Sequence, residues 1–189
     1  PADTQEGKKL TATAQSIMRS YGDRQGRGRL KADASPMESR PPQGNAIITG
    51  EFPPDIGESG TARYLALELR ESDVDLKVLS HFQREAATGK FQNCTYGFIQ
   101  FLKETFLCDE RTVREFEKTL ASVFESRRDI FLKSGIRCHG RVPEIVAHLE
   151  VSMKILLMFL ESWNALSAQQ CKEISEEFTR ILYRIAARQ

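Results

Sequence analysis

The sequence lacks the common signatures of a cofactor or metal site. It has no GxxxxGK[ST] phosphate-binding loop, no GxGxxG segment after a strand, no HExxH motif and no cysteine pair at zinc-binding spacing. The four cysteines are far apart and unevenly spaced, which indicates free thiols rather than a disulfide framework. Because reduced thiols are typical of the cytoplasm, we expect a cytoplasmic protein.

Long apolar runs and an excess of either charge are also absent. The longest apolar run extends only from Ile155 to Leu160, whereas a membrane-spanning helix needs about 20 residues, so no membrane partner is expected. The 27 basic and 26 acidic residues nearly cancel, leaving a net charge of +1. Any signal for nucleic-acid binding must therefore come from local clusters of charge.

The three histidines do not form a recognisable catalytic or metal-binding set. None of His81, His139 and His148 can be placed with a nucleophile and an orienting residue, and a helical histidine is usually structural. Cys138 adjoins His139, but two further ligands are not apparent, so no metal site is expected. No group of residues supports an independent hydrolase.

Residues 1–72 have a mixed character. An amphipathic helix ends at Gly22, and a long irregular segment rich in glycine, proline and arginine extends from Asp23 to Gly44. The apolar run Asn45–Thr49 and the alternating run Leu65–Leu69 predict two short strands. Two strands alone do not make a stable sheet, so they either pair with each other or are the remnant of a larger sheet.

Residues 73–189 are predicted to form a helical bundle of five helices. Asp109 is placed to cap the third of these helices, and Gly135 to end it. Pro143 suits the first turn of the fourth, and Ser167 with Gln170 forms a capping box for the last. Aromatic residues at helical spacing could line a ligand pocket, but such residues are more often core. The expected fold is therefore mainly α with a small β part.

One ordered series of motifs resembles a known family. The segment from Pro41 reads PPQGNAIITGEFPP, SGTARYLALEL follows from Ser59, and an Arg-Gly loop, GRGR, precedes both from Gly26. This order resembles the carboxy-terminal half of helicase-like P-loop ATPases of largely unknown function, encoded by bacterial plasmids, phages and genomic islands. The resemblance covers roughly residues 1–75. The family's phosphate loop and acidic strand would lie before Pro1.

The resemblance implies that residues 1–72 are the end of an α/β ATPase core and residues 73–189 a helical domain. The full-length parent would bind ATP and Mg²⁺, assemble as a ring-shaped homo-oligomer such as a hexamer, act on single-stranded DNA and work with a primase or polymerase. This segment alone would bind no cofactor and would be inactive, and whether the chain is itself an enzyme stays open. The alternative is a non-catalytic helical module for interaction or oligomerisation.

The resemblance also implies site residues. Thr49, at a strand end, and Glu51 beside it would sense the γ-phosphate or orient the attacking water. Arg63 would be an arginine finger, which stabilises charge on the transferred phosphoryl group in a neighbouring subunit. The structural alternatives are a Thr49 that satisfies a backbone group, a solvated Glu51, and an Arg63 paired with Glu58 or Glu68.

A basic cluster in the Arg-Gly loop suggests contact with DNA. Four positive charges occur within eight residues without a negative one, namely Arg24, Arg27, Arg29 and Lys31. Such a cluster suits phosphates of single-stranded DNA, although no aromatic residue is interleaved to stack on bases. The alternative is a mobile, solvated loop.

Overall fold

The computed structural model describes residues 5–24, 26, 28, 30–38, 40–50 and 57–189, and it is mainly helical. Glu51, Arg27 and Arg29 lie outside the described residues. The chain divides into two compact units. Unit 1 comprises Pro1–Ala66, Cys138–Val142 and Gln189, and unit 2 comprises Leu67–Arg137 and Pro143–Arg188.

In its described residues, unit 1 contains two helices and a tight turn. Helix α1 (Gln5–Gly22) contacts the short helix α2 (Gly57–Thr61). Between them, Leu30 and Pro36 form an isolated antiparallel bridge, closed by a hydrogen bond from the Ala34 amide to the Lys31 carbonyl at 3.0 Å. Asp33 stabilises this turn because its carboxylate accepts hydrogen bonds from the Ser35 amide and hydroxyl.

The prediction of two strands is wrong. Residues 45–50 and 65–70 are irregular, and no strand is formed in the ranges that the structure describes. Ile47 is 95% exposed and Leu67 is 62% exposed, so no paired strand covers these two apolar side chains. A short apolar or alternating run becomes a strand only when another strand pairs with it.

Unit 2 is a bundle whose helices were predicted from the sequence. These helices are α3 (Leu76–Ala87), α4 (Lys90–Phe106), α5 (Glu110–Lys133), α6 (Val142–Ser162) and α7 (Ala168–Ala186). Asp109 caps α5 by accepting a hydrogen bond from the Thr112 amide, and Ser167 with Gln170 forms the capping box of α7. Gly135, with a φ of 73°, follows the end of α5. These three predictions are confirmed.

Aromatic side chains form much of the core of unit 2. Phe159 on α6 is 1% exposed and contacts the rings of Phe98 and Phe101 on α4. Phe131 on α5, also 1% exposed, packs edge-on against Tyr183 on α7. Phe131 and Phe159 are therefore core residues, as predicted, whereas Phe91 and Trp163 are 46% and 58% exposed. None of the helices in the described part of the chain is long and apolar enough to cross a membrane.

Candidate functional site

The side chain of Arg63 lies against the end of α1 in unit 1. Its Nε donates to Oδ1 of Asp23 at 3.0 Å and its Nη2 donates to Oδ2 at 2.9 Å. A Cβ on Gly22 would lie 2.8 Å from the Cβ and Cγ of Arg63, so the glycine leaves room for this side chain. Only 11% of the Arg63 side chain is exposed, so the guanidinium is held largely out of water.

Asp23 also binds a second arginine. Nη1 of Arg141 donates to Oδ1 of Asp23 at 2.8 Å, and Arg141 precedes α6 in the part of the chain that joins unit 1. The hydrogen bonds from Arg63, and to a smaller extent that from Arg141, lower the pKa of the Asp23 carboxyl from 3.8 to about 2. The Asp23 cluster (Asp23, Arg63 and Arg141) thus holds three distant chain segments together around one ionised carboxylate.

Sequence reasoning missed two members of this cluster. It named Arg63 and gave a pairing with Glu58 or Glu68 as the structural alternative, whereas the ion pair that the structure describes joins Arg63 to Asp23. The side chain of Glu58 lies outside the described residues. Asp23 is 40 residues from Arg63 and 118 residues from Arg141 along the chain. No local pattern connects positions so far apart. The only available signal was that Asp23 directly follows the glycine that ends α1.

The other predicted site residues are exposed where they are described. Thr49 lies in the irregular segment 41–50 and takes part in none of the contacts that define the Asp23 cluster. Arg24 is exposed in the turn after α1, with a φ of 48°, and Lys31 is exposed in the turn that Asp33 stabilises. These exposed cations are accessible to a ligand, but the described contacts do not join them to Arg63.

Two of the three histidines make structural contacts, and two of the four cysteines are wholly or partly buried. The ring of His148 packs on Phe124 at a centroid distance of 4.4 Å, and Nδ1 of His139 accepts a hydrogen bond from the Arg141 amide at 3.3 Å. Burial raises the pKa of the Cys138 and Cys171 thiols, and all four cysteines are free. Among the residues that the structure describes, no three histidine, cysteine, aspartate or glutamate residues are close enough together to hold a metal ion.

No protein-family model, curated protein sequence or solved structure matches this chain.

A second feature is an open cleft of about 360 Å³ in unit 2, between α5, α6 and α7. Its wall includes Glu150, whose side chain is 3% exposed, together with Arg127 and Thr179. Both nitrogens of the Arg127 fork donate to Glu150, with Nε–Oε2 at 2.9 Å and Nη2–Oε1 at 2.5 Å. The Thr179 hydroxyl donates to the same Oε1 at 2.7 Å. These three polar groups satisfy one another, so the cluster connects three helices instead of presenting a reactive group to the cleft.

The two glycines described in the Arg-Gly loop differ in what surrounds them, which gives a prediction. A Cβ on Gly26 would lie 2.4 Å from the carbonyl oxygen of Arg40, whereas a Cβ on Gly28 would have nothing within 4 Å. Because the obstacle at Gly26 is backbone, Gly26→Ala should displace the loop at a cost of about 1–3 kcal/mol. Hydrogen exchange of the Lys31 and Ala34 amides, which are hydrogen-bonded in the turn that follows this loop, should become faster in Gly26→Ala but stay unchanged in Gly28→Ala. Equal exchange in the two variants would contradict this close approach.

Proposed function

We propose that this chain forms the carboxy-terminal part of a ring-forming, DNA-dependent ATPase or helicase of a bacterial mobile element, with Arg63 as its arginine finger. The support from sequence is the ordered series of motifs between residues 26 and 69. The observation that carries the proposal is the environment of Arg63, whose guanidinium shares one carboxylate with Arg141.

The geometry of the Asp23 cluster suits the exchange of one anion for another. A carboxylate and a phosphate offer the same pair of oxygens to the guanidinium fork, so Arg63 could exchange Asp23 for a γ-phosphate and keep two hydrogen bonds. When Arg63 leaves Asp23, the Asp23 carboxylate would still be paired with a cation, because Arg141 stays bound to it. The carboxylate would thus hold Arg63 until an anionic ligand of a neighbouring subunit displaces it.

The remaining roles in this proposal follow the resemblance. ATP and Mg²⁺ would bind to a phosphate loop and acidic strand that this sequence does not contain. Thr49 and Glu51 would act near the γ-phosphate of that nucleotide. The loop cations Arg24, Arg27, Arg29 and Lys31 would contact the backbone of single-stranded DNA in the channel of a homo-oligomer such as a hexamer, and a primase or polymerase would be a further partner.

A different observation favours a second candidate function, a non-catalytic module for interaction or oligomerisation. Helix α3 has no buried residue, although it has an apolar stripe. Val78, Leu79 and Phe82 in this stripe are 48%, 42% and 50% exposed, and Phe91 on the neighbouring α4 is 46% exposed. Apolar side chains that remain this exposed on one helical hairpin are a common feature of protein–protein interaction surfaces.

The test is ATP turnover by the whole protein that carries this chain, with and without single-stranded DNA. Arg63→Ala should abolish turnover while a fluorescent ATP analogue still binds, because a finger acts on the transition state. Arg141→Ala is the matched control, because it removes the other arginine of the cluster and should leave most of the turnover. Arg27→Ala/Arg29→Ala should remove only the stimulation by DNA.

Two outcomes would count against the proposed ATPase or helicase function. Equal losses in Arg63→Ala and Arg141→Ala would show that the cluster is structural. Wild-type turnover in Arg63→Ala and unchanged DNA stimulation in Arg27→Ala/Arg29→Ala would favour the interaction module instead.

A further inference from the structure

Two helices of unit 2 run parallel and end at the same place. Arg127 and Phe131 on α5 contact Thr179 and Tyr183 on α7, so a step of four residues along one helix matches the same step along the other. Helix α5 ends at Lys133 and α7 at Ala186. The last turns of α5 and α7 therefore lie side by side at one end of the bundle.

This end of the bundle is strongly basic. Within residues 128–137, 143–147 and 177–188, six arginine and lysine residues stand against three carboxylates. Two of the carboxylates belong to the ion pairs Arg128–Asp129 and Arg180–Glu177, and the third, that of Glu144, is exposed. Four exposed cations have no ion-pair partner in the described part of the chain, and we call them the basic end: Lys133, Arg137, Arg184 and Arg188.

Helix stability explains only part of this charge. Cations in the last turn interact favourably with the negative end of the helix dipole, which accounts for Lys133 in α5 and Arg184 in α7. Arg137 lies four residues beyond the end of α5, and Arg188 lies beyond the end of α7. Their charges add to the repulsion at this end, and an anionic ligand would relieve that repulsion.

We propose that the basic end is a second nucleic-acid contact, which binds the phosphate backbone without reading bases. Three of its four cations are arginines, whose forks match phosphate oxygens. Packed helices lie about 8–10 Å apart, so a few nucleotides of a strand could reach all four cations. The choice of nucleic acid as the ligand rests on the proposed function, but none of these four cations belongs to the Arg-Gly loop or to the Asp23 cluster.

The test measures binding of the whole chain to fluorescein-labelled dT20 by anisotropy, without nucleotide, at 50 to 200 mM KCl. Replacing all four cations of the basic end by alanine should raise the Kd at least tenfold at 50 mM KCl. The slope of log K against log salt should become shallower by about 0.7 for each phosphate that the variant no longer neutralises. The control removes the same charge from exposed lysines and arginines elsewhere in unit 2, in the variant Lys77→Ala/Arg84→Ala/Lys103→Ala/Lys118→Ala.

The control variant should bind dT20 within twofold of the wild type, and both quadruple variants should retain the wild-type circular dichroism spectrum. Equal weakening in the two variants would overturn the proposal, because net charge alone would then explain binding. It would also be overturned if only Arg27→Ala/Arg29→Ala weakened binding, or if the basic end were required for anionic phosphatidylserine vesicles and not for dT20. This assay measures binding without nucleotide and does not depend on ATP turnover. The proposed ATPase function can therefore fail while the basic end still binds DNA.

Discussion

Arg127→Met is expected to destabilise the helical unit more than Glu150→Leu, by about 4 against about 2 kcal/mol in the free energy of unfolding. The reason is the unequal burial of the two partners, since the Glu150 side chain is 3% exposed and that of Arg127 is 33% exposed. Without Arg127, the carboxylate is left in the core, and the Thr179 hydroxyl is its one remaining donor among the contacts of the described residues. Without Glu150, the guanidinium can turn to water. Urea unfolding followed by circular dichroism measures both changes.

The double variant Arg127→Met/Glu150→Leu is the decisive control for this prediction. Replacing a buried ion pair by apolar residues of similar size is often neutral, because no charge is left without a partner. The double variant should therefore be more stable than Arg127→Met alone. Losses that simply add would show that the two side chains do not depend on each other.

The helices of unit 2 could be predicted from the sequence because their signals are local. A capping carboxylate or hydroxyl lies within three residues of the amide that it accepts from, as Asp109 does with Thr112 and Ser167 with Gln170. The positive φ of Gly135 is also a property of one residue and its immediate neighbours. Such signals fix where a helix begins and ends, and they do not depend on the rest of the fold.

The contacts of the Asp23 cluster and those among Arg127, Glu150 and Thr179 could not be predicted, because they connect distant positions. Asp23 is 40 residues from Arg63 and 118 residues from Arg141. Arg127 and Glu150 are 23 residues apart, and Glu150 and Thr179 are 29 residues apart, on three different helices. The same limit explains the wrong strands. The run that contains Ile47 has the composition of a strand, but composition does not supply a partner.

Asp23→Ala is expected to destabilise unit 1 by about 2 kcal/mol near neutral pH. The variant removes a carboxylate that accepts two hydrogen bonds from Arg63, whose side chain is 11% exposed, and leaves Arg141 nearby as a like charge. Asp23 itself is 24% exposed, so water screens part of the interaction and the cost stays below that of a fully buried pair. Hydrogen exchange of the amides of α1, corrected for intrinsic rates, should become at least tenfold faster.

The pH dependence separates this charge effect from an effect of packing. Because the folded-state pKa of Asp23 is about 2, below the ordinary value of 3.8, its stabilisation is complete above pH 4 and declines as the pH falls towards 2. About half should remain near pH 3, so the difference between wild type and Asp23→Ala should shrink from pH 6 to pH 3. Asp33→Asn is the matched control. Asp33 accepts its described hydrogen bonds from Ser35 within its own turn, so this substitution should leave the exchange of the α1 amides unchanged. A difference between wild type and Asp23→Ala that is the same at pH 6 and pH 3 would mean that Asp23 acts through its shape and not through its charge.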